Sequence, residues 1–167
     1  MAIILGGAPS APATTRGNIY LPIVAAQTDP VADFCRLLVA DARQQRPTLE
    51  LCAVLQQAAV WRAYGLASGG DPFDHVDKDD ITPNELARRA GCRLPDDYAA
   101  KGNNIESLVA GTDDPVVAFT ALASSLKHSD HLFGRGWFQR QRHFGVALCR
   151  GSAEFTWYWA IQIAQCD

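Results

Sequence analysis

The segment Phe155 to Ala164 sets the strongest constraint on the fold. Phe155, Trp157, Trp159, Ile161 and Ile163 fall on one face of an extended chain, and Thr156, Tyr158, Ala160, Gln162 and Ala164 on the other. Neither face is charged or strongly polar, so the strand is expected to be covered on both sides. Just upstream, Phe144, Val146 and Leu148 alternate, and Gly151-Ser152-Ala153 supplies a turn, which together predict a C-terminal β-hairpin. The earlier chain has helical period instead. Helices first and a hairpin last give an α+β sandwich, with strands expected near Phe73–Val76 and Asn104–Val109 to complete the sheet.

The helices are marked by their ends. Asp29-Pro30 reads as an N-cap with proline at the first helical position, followed by Val31, Phe34, Leu38 and Ala42 at helical spacing, and the helix must stop before Pro47. Thr48 is the expected cap of a second helix, with Leu51, Leu55, Ala58 and Trp61 on one face, running to about Ser68, where Gly69-Gly70 breaks it. Thr82-Pro83-Asn84-Glu85 is a capping box, and Gly91 closes its helix. Asp114-Pro115 opens a fourth helix whose expected buried stripe is Val116, Phe119, Ala123 and Leu126.

A chain of 167 residues with 48% hydrophobic and 20% charged residues can bury one full core. A net charge of only −3 disfavours nucleic acid as a partner. No apolar run is long enough to span a bilayer as a helix. Residues 1–27 lack the basic start and long apolar stretch of a secretory signal and read either as a signal-like remnant or as a tail; with Pro9, Pro12 and Gly17 an extended or disordered tail is the expected form, and the folded domain is expected to cover 28–167. Within that tail, Asn18–Val24 is apolar but interrupted by Pro22, fitting a short edge strand or a packed arm. The five cysteines (Cys35, Cys52, Cys92, Cys149 and Cys166) show no close pair of the kind that holds zinc, and their odd number leaves at least one unpaired. They are either buried thiols or include disulfides; Cys149 and Cys166 flank the predicted hairpin and are the expected neighbours.

The histidines offer the chemistry. His75 sits in Phe73-Asp74-His75, and His128 and His131 in Ser125-Leu126-Lys127-His128-Ser129-Asp130-His131. Neutral imidazole is a common zinc ligand, and a catalytic zinc usually has three protein ligands, so His75 and His128 with either Glu106 or His131 form the candidate metal set. The plainer reading has the imidazoles bonded to each other or to backbone, shaping a cleft. Ser125 stands three residues before His128 and reads as a helix-terminus residue; no Gly-x-Ser-x-Gly elbow supports a serine nucleophile. Asp77-Lys78-Asp79-Asp80 lacks the glycine and distant glutamate of a calcium loop and reads as a polar turn. Arg135, Arg140 and Arg142 form a basic run, read chiefly as a solvated loop pinned by Trp137 and Phe138, the other reading being contact with an anionic surface.

Taken in order, these pieces resemble the CAP superfamily (cysteine-rich secretory proteins, antigen 5 and pathogenesis-related proteins), most of all its bacterial branch. Phe73-Asp74-His75 is similar to the segment holding that family's first cavity histidine, Gly102-Asn103-Asn104-Ile105 to its Gly-Glu-Asn-Ile, and Ser125-Leu126-Lys127-His128 to its Ser-Pro-x-His. Gly145-Val146-Ala147 and Tyr158-Trp159-Ala160-Ile161-Gln162 are similar to its last two strands. The resemblance spans roughly Asp29 to Gln165. It implies a three-layer α-β-α sandwich with a small, mainly antiparallel sheet, an extracellular or cell-surface location, and a cleft lined by His75, Asn103, Asn104, Glu106, Ser125 and His128. It also implies a small amphipathic or cell-surface ligand, with a divalent cation such as zinc as an optional companion, and no settled enzymatic activity. The rival function is a metal-assisted hydrolase using His75, His128 and Glu106. Three departures matter. Asn103 replaces the family's cavity glutamate, Leu126 replaces the proline, and the chain between His128 and Gly145 is longer, which makes His131 a rival for the second cleft histidine. Glu106 lies three residues beyond Asn103, an odd offset that would turn it to the opposite face of a strand.

Overall fold

The computed structural model describes residues 3–4 and 29–166. In chain order the elements are β1 (Ile3–Ile4), α1 (Pro30–Ala40), β2 (Glu50–Leu51), α2 (Ala53–Ala67), α3 (Pro83–Ala90), β3 (Glu106–Ala110), α4 (Pro115–Ser124), α5 (Leu126–Phe133), a 3-10 turn (Gly136–Arg140), β4 (His143–Arg150) and β5 (Trp157–Ala164). The expected arm at Asn18–Val24 lies outside the described residues.

Local chemistry sets the helix starts. Asp29 accepts from the amides of Val31 and Ala32, and Asp114 from those of Val116 and Val117, each satisfying two donors that a helix leaves open. The Glu85 carboxylate accepts from both the amide and the hydroxyl of Thr82, and Gly91 ends α3 at φ 106°. Asp77 folds the acidic segment before α3 into a turn, its carboxylate accepting from the amides of Asp79 and Ile81.

The sheet runs β1-β3-β5-β4-β2. Its long ladders, β3 with β5 and β4 with β5, are antiparallel, and the two-residue edge pairings β1 with β3 and β2 with β4 are parallel. β5 is the middle strand and is covered on both faces. Trp159, Ile161 and Ile163 pack with Phe34 and Leu38 of α1, Phe119 and Leu122 of α4, and Leu132 and Phe133 of α5. Tyr158 and Ala160 pack with Ala59, Ala63 and Leu66 of α2 on the other side, and Ala164 joins Leu55 and Ala87 there. The fold is therefore α+β, a sheet between two helical layers.

Several expectations need correction. Within the stretch expected as tail, Ile3 and Ile4 pair with Val109 and Ala110 as a two-residue edge strand. Thr48 does not cap α2. Glu50 pairs with His143 and Leu51 with Phe144, and the helix begins only at Ala53. That delay rotates the buried face to Leu55, Ala58, Ala59, Arg62, Ala63, Leu66 and Ala67, leaving Leu51 and Trp61 exposed. In α4 the buried residues are Ala118, Phe119 and Leu122, with Val116 exposed; Leu126, 88% exposed, belongs to the next helix. Phe73–Val76 forms no strand. Phe155 precedes β5 and packs on Phe73 and Tyr158 instead of joining the Trp159 face.

The disulfide joins Cys92 to Cys166, not Cys149 to Cys166. The hairpin register explains why: Cys149 faces Tyr158 beside the turn, whereas Cys166 lies beyond Ala164 at the open end. At about 3.4 Å per residue the two are roughly 27 Å apart along the ladder. Cys35, Cys52 and Cys149 are free thiols, and burial raises the Cys35 pKa to about 11, which leaves it unreactive as a nucleophile near neutrality.

Candidate functional site

The chain from Gly102 to Glu106 makes a corner before it becomes a strand. Asn103 builds it: its Oδ1 accepts from the amides of Ile105 and Glu106 (3.2 and 2.8 Å), and its Nδ2 donates to the Glu106 carbonyl at 3.0 Å. Strand alternation therefore starts only at Glu106, and counting faces from Asn103 does not apply. Asn104 is fastened to Asn84 of α3, whose side chain accepts from the Asn104 amide (3.1 Å) and donates to its Oδ1 (2.8 Å). The Asn103 side chain thus serves the backbone, and that of Asn104 serves Asn84.

Glu106 opens β3 with its side chain wholly buried. Its cross-strand neighbour is Gln162, whose Nε2 donates to Oε2 at 2.7 Å. His75, from the loop after α2, donates through Nδ1 to Oε1 at 2.9 Å. Arg62 of α2, 2% exposed at its side chain, stands with Nε 3.7 Å from Oε2, pairs with Asp71 at 3.1 Å and donates to the Asp74 carbonyl. One guanidinium therefore ties the carboxylate to the loop that carries His75.

Across the cleft stands α5. Ser125 is its N-cap residue and its Oγ bonds His128 Nδ1 at 2.8 Å, which fixes the imidazole's tilt. One turn on, His131 is sealed inside: Nε2 donates to the Ile163 carbonyl (3.3 Å), so Nδ1 is the acceptor for the Ser107 hydroxyl (2.8 Å). Burial, then the nearby Arg46 guanidinium, lower the His131 pKa to about 3. Ser107 and His131 have the outline of a nucleophile–base pair, but burial disfavours the imidazolium that a proton transfer between them would form. Arg46 itself donates to the carbonyls of His131 and Leu132 near the end of α5, and desolvation lowers its pKa to about 10.

His75, Asn103, Asn104, Glu106, His128 and His131 line one hollow of about 160 Å³, with Lys127 and Phe138 at its wall. Ser125 lies outside that lining, in an apolar groove of about 480 Å³ formed by Ile3, Ala121 and Leu126; Lys127 belongs to both. The candidate zinc donors do not fit a metal centre. His131 uses both ring nitrogens internally, and Glu106 spends one carboxylate oxygen on His75 and the other on Gln162. Among the described residues no three His, Cys, Asp or Glu side chains are grouped to hold an ion. Sequence reasoning missed Arg62, Ser107 and Gln162. Gln162 alone carried a signal, as a polar residue inside an apolar two-faced strand.

The buried neutral His131 predicts acid sensitivity. The unfolded chain takes up a proton there near pH 6.5, the folded chain only near 3, so this contribution is complete above 6.5 and is lost as pH falls toward 3. Between pH 7 and 5 the wild type should lose about 2 kcal/mol of unfolding free energy that His131→Gln does not lose. Urea midpoints at both pH values measure it; equal losses in the two proteins would refute it.

No protein-family model matches the chain, and no curated protein matches it. A solved structure similar in fold is an outer surface protein from Borrelia burgdorferi, with a TM-score of 0.61 and 16% sequence identity, over 84% of this chain and 97% of that one. At that identity the likeness is one of fold. Among the described residues no helix is long and apolar enough to cross a membrane.

Proposed function

We propose that this chain is an extracellular or surface-exposed binding module of the CAP type, whose cleft receives the polar head of a small amphipathic or cell-surface molecule. The observation that carries the reading is the adjacency of two unlike hollows. A polar cleft walled by His75, Glu106 and His128 meets an apolar groove walled by Ile3, Ala121 and Leu126, and Lys127 stands at their junction. Lys127 supplies a charged donor for an anionic or hydroxylated head, and the groove suits a hydrocarbon tail. The family assignment is supported by the ordered motifs and by the α-β-α layering; the surface location, by that resemblance and by the fold neighbour named an outer surface protein.

The rival, a metal-assisted hydrolase, needs its donors within about 2 Å of one ion. His75, His128 and Glu106 are not assembled that way, and no step is assigned to a metal.

Octyl phosphate, used below its micellar concentration, tests the binding reading by NMR. Imidazole resonances of His75 and His128 and methyl resonances of Leu126 should shift together, with affinity falling about tenfold or more in a His75→Ala, His128→Ala double variant. Shifts confined to other surfaces, or equal affinity in the variant, would remove it.

A further inference from the structure

We infer that the surface around Trp137, Arg140 and Arg142 is a second, separate binding site, for a sugar carrying an oxyanion. Two hollows of about 450 Å³ each meet there. One is lined by Thr48, Glu50, His143 and Gln165, the other by Pro47, Trp137 and Gln139, and Arg140 and Arg142 line both. The arginines therefore form the ridge between them.

The two arginines differ. Arg140 is held in place: its guanidinium lies 4.3 Å from the Trp137 ring centre and 5.3 Å from that of Tyr98, and it pairs with Asp97. Arg142 is exposed and has no carboxylate partner among the described residues, while its backbone carbonyl anchors the amide of Glu50. Its backbone is thus fixed at the sheet edge while its charge stays unneutralised. His143 adds a donor whose proton position is set by the backbone: Nδ1 accepts the Cys166 amide at 3.1 Å, so Nε2 carries the hydrogen.

The occupant's chemistry follows. A guanidinium without a partner presents a fork that fits a carboxylate or phosphate. Trp137, 39% exposed and braced by Tyr98 at 4.9 Å, offers a fixed aromatic surface for the C–H face of a sugar ring. Among the described residues, Glu50 is the only acidic side chain lining either hollow, and a carboxylate accepts from sugar hydroxyls. One unneutralised arginine on a chain of net charge −3 matches a ligand with a single oxyanion per sugar and not a dense polyanion such as nucleic acid.

The test is calorimetry with trigalacturonic acid, glucose 6-phosphate and neutral maltotriose. At least one acidic probe should bind with Kd of about 1 mM or tighter, and maltotriose at least about tenfold more weakly. The acidic probe that binds distinguishes a uronate site from a sugar-phosphate site. Arg142→Gln, an exposed change that should leave the melting temperature unaltered, should weaken the acidic probe about tenfold, and Trp137→Ala should weaken it as well. The His75→Ala, His128→Ala double variant should bind it unchanged. No binding of either acidic probe, equal binding of maltotriose, indifference to Arg142→Gln, or loss in the double variant would overturn the inference.

Discussion

Replacing Gly145 by alanine is expected to cost about 3–5 kcal/mol, enough to lower the melting temperature of a domain this size by roughly 10 °C. The reason is the seat of α2 on the sheet. A Cβ at Gly145 would stand 2.2 Å from the Gln56 amide nitrogen and 2.3 Å from the Leu55 carbonyl carbon, both backbone atoms that no rotamer change can move. The helix must lift, and lifting it breaks a second device. The Gln56 carboxamide accepts from the Val146 amide (3.0 Å) and donates to the Val146 carbonyl (2.8 Å), so it continues the β4 edge where β2 has ended. Two buried backbone groups lose partners along with the packing. Gly91→Ala is the contrast: nothing lies within 4 Å of its Cβ, and only the strain of φ 106° applies, about 1–2 kcal/mol. Thermal and urea unfolding of both variants checks the ranking; a Gly145→Ala protein no less stable than Gly91→Ala would show that α2 does not rest on β4 as described.

The same glycine shows what a sequence can and cannot disclose. Elements written in local chemistry are legible: Asp29-Pro30, Thr82 to Glu85 and Asp114-Pro115 each start a helix through bonds made within four residues, and β5 announces its two buried faces by composition alone. Elements that exist only through a distant partner are not. β1 and β2 are two residues long and owe their conformation to β3 and β4, so Thr48 has the look of a helix cap without being one. The Cys92–Cys166 bridge depends on where α3 ends relative to β5, which spacing along one hairpin does not reveal. At the cleft, motifs mark His75 and His128 but not the residues that hold them. Asn103 closes a backbone corner at the lining of the hollow, and Arg62 sits in an alanine-rich helix whose pattern gives no reason for a buried cation.

That cation supports the other large prediction. Arg62→Met should destabilise the protein by about 3–5 kcal/mol, because it leaves Glu106 in the core without its nearest positive charge and strips Asp71 of its partner. The loss should reach function too. Arg62 grips Asp71 and the Asp74 carbonyl at the root of the loop that delivers His75, so removing it frees the imidazole even where the fold survives. Glu106→Gln should be milder, since Arg62 keeps Asp71 and Gln162 keeps a carbonyl acceptor of the same shape. A double-mutant cycle separates the pair from its surroundings: Arg62→Met with Glu106→Gln should be more stable than the summed single effects by at least about 1 kcal/mol, because the glutamine no longer buries an unpaired charge. Simple additivity would mean that the 3.7 Å approach carries no coupling, and that Arg62 serves the loop alone. A His75 resonance that broadens in Arg62→Met but stays sharp in Glu106→Gln would separate the loop's anchor from the carboxylate that the imidazole touches.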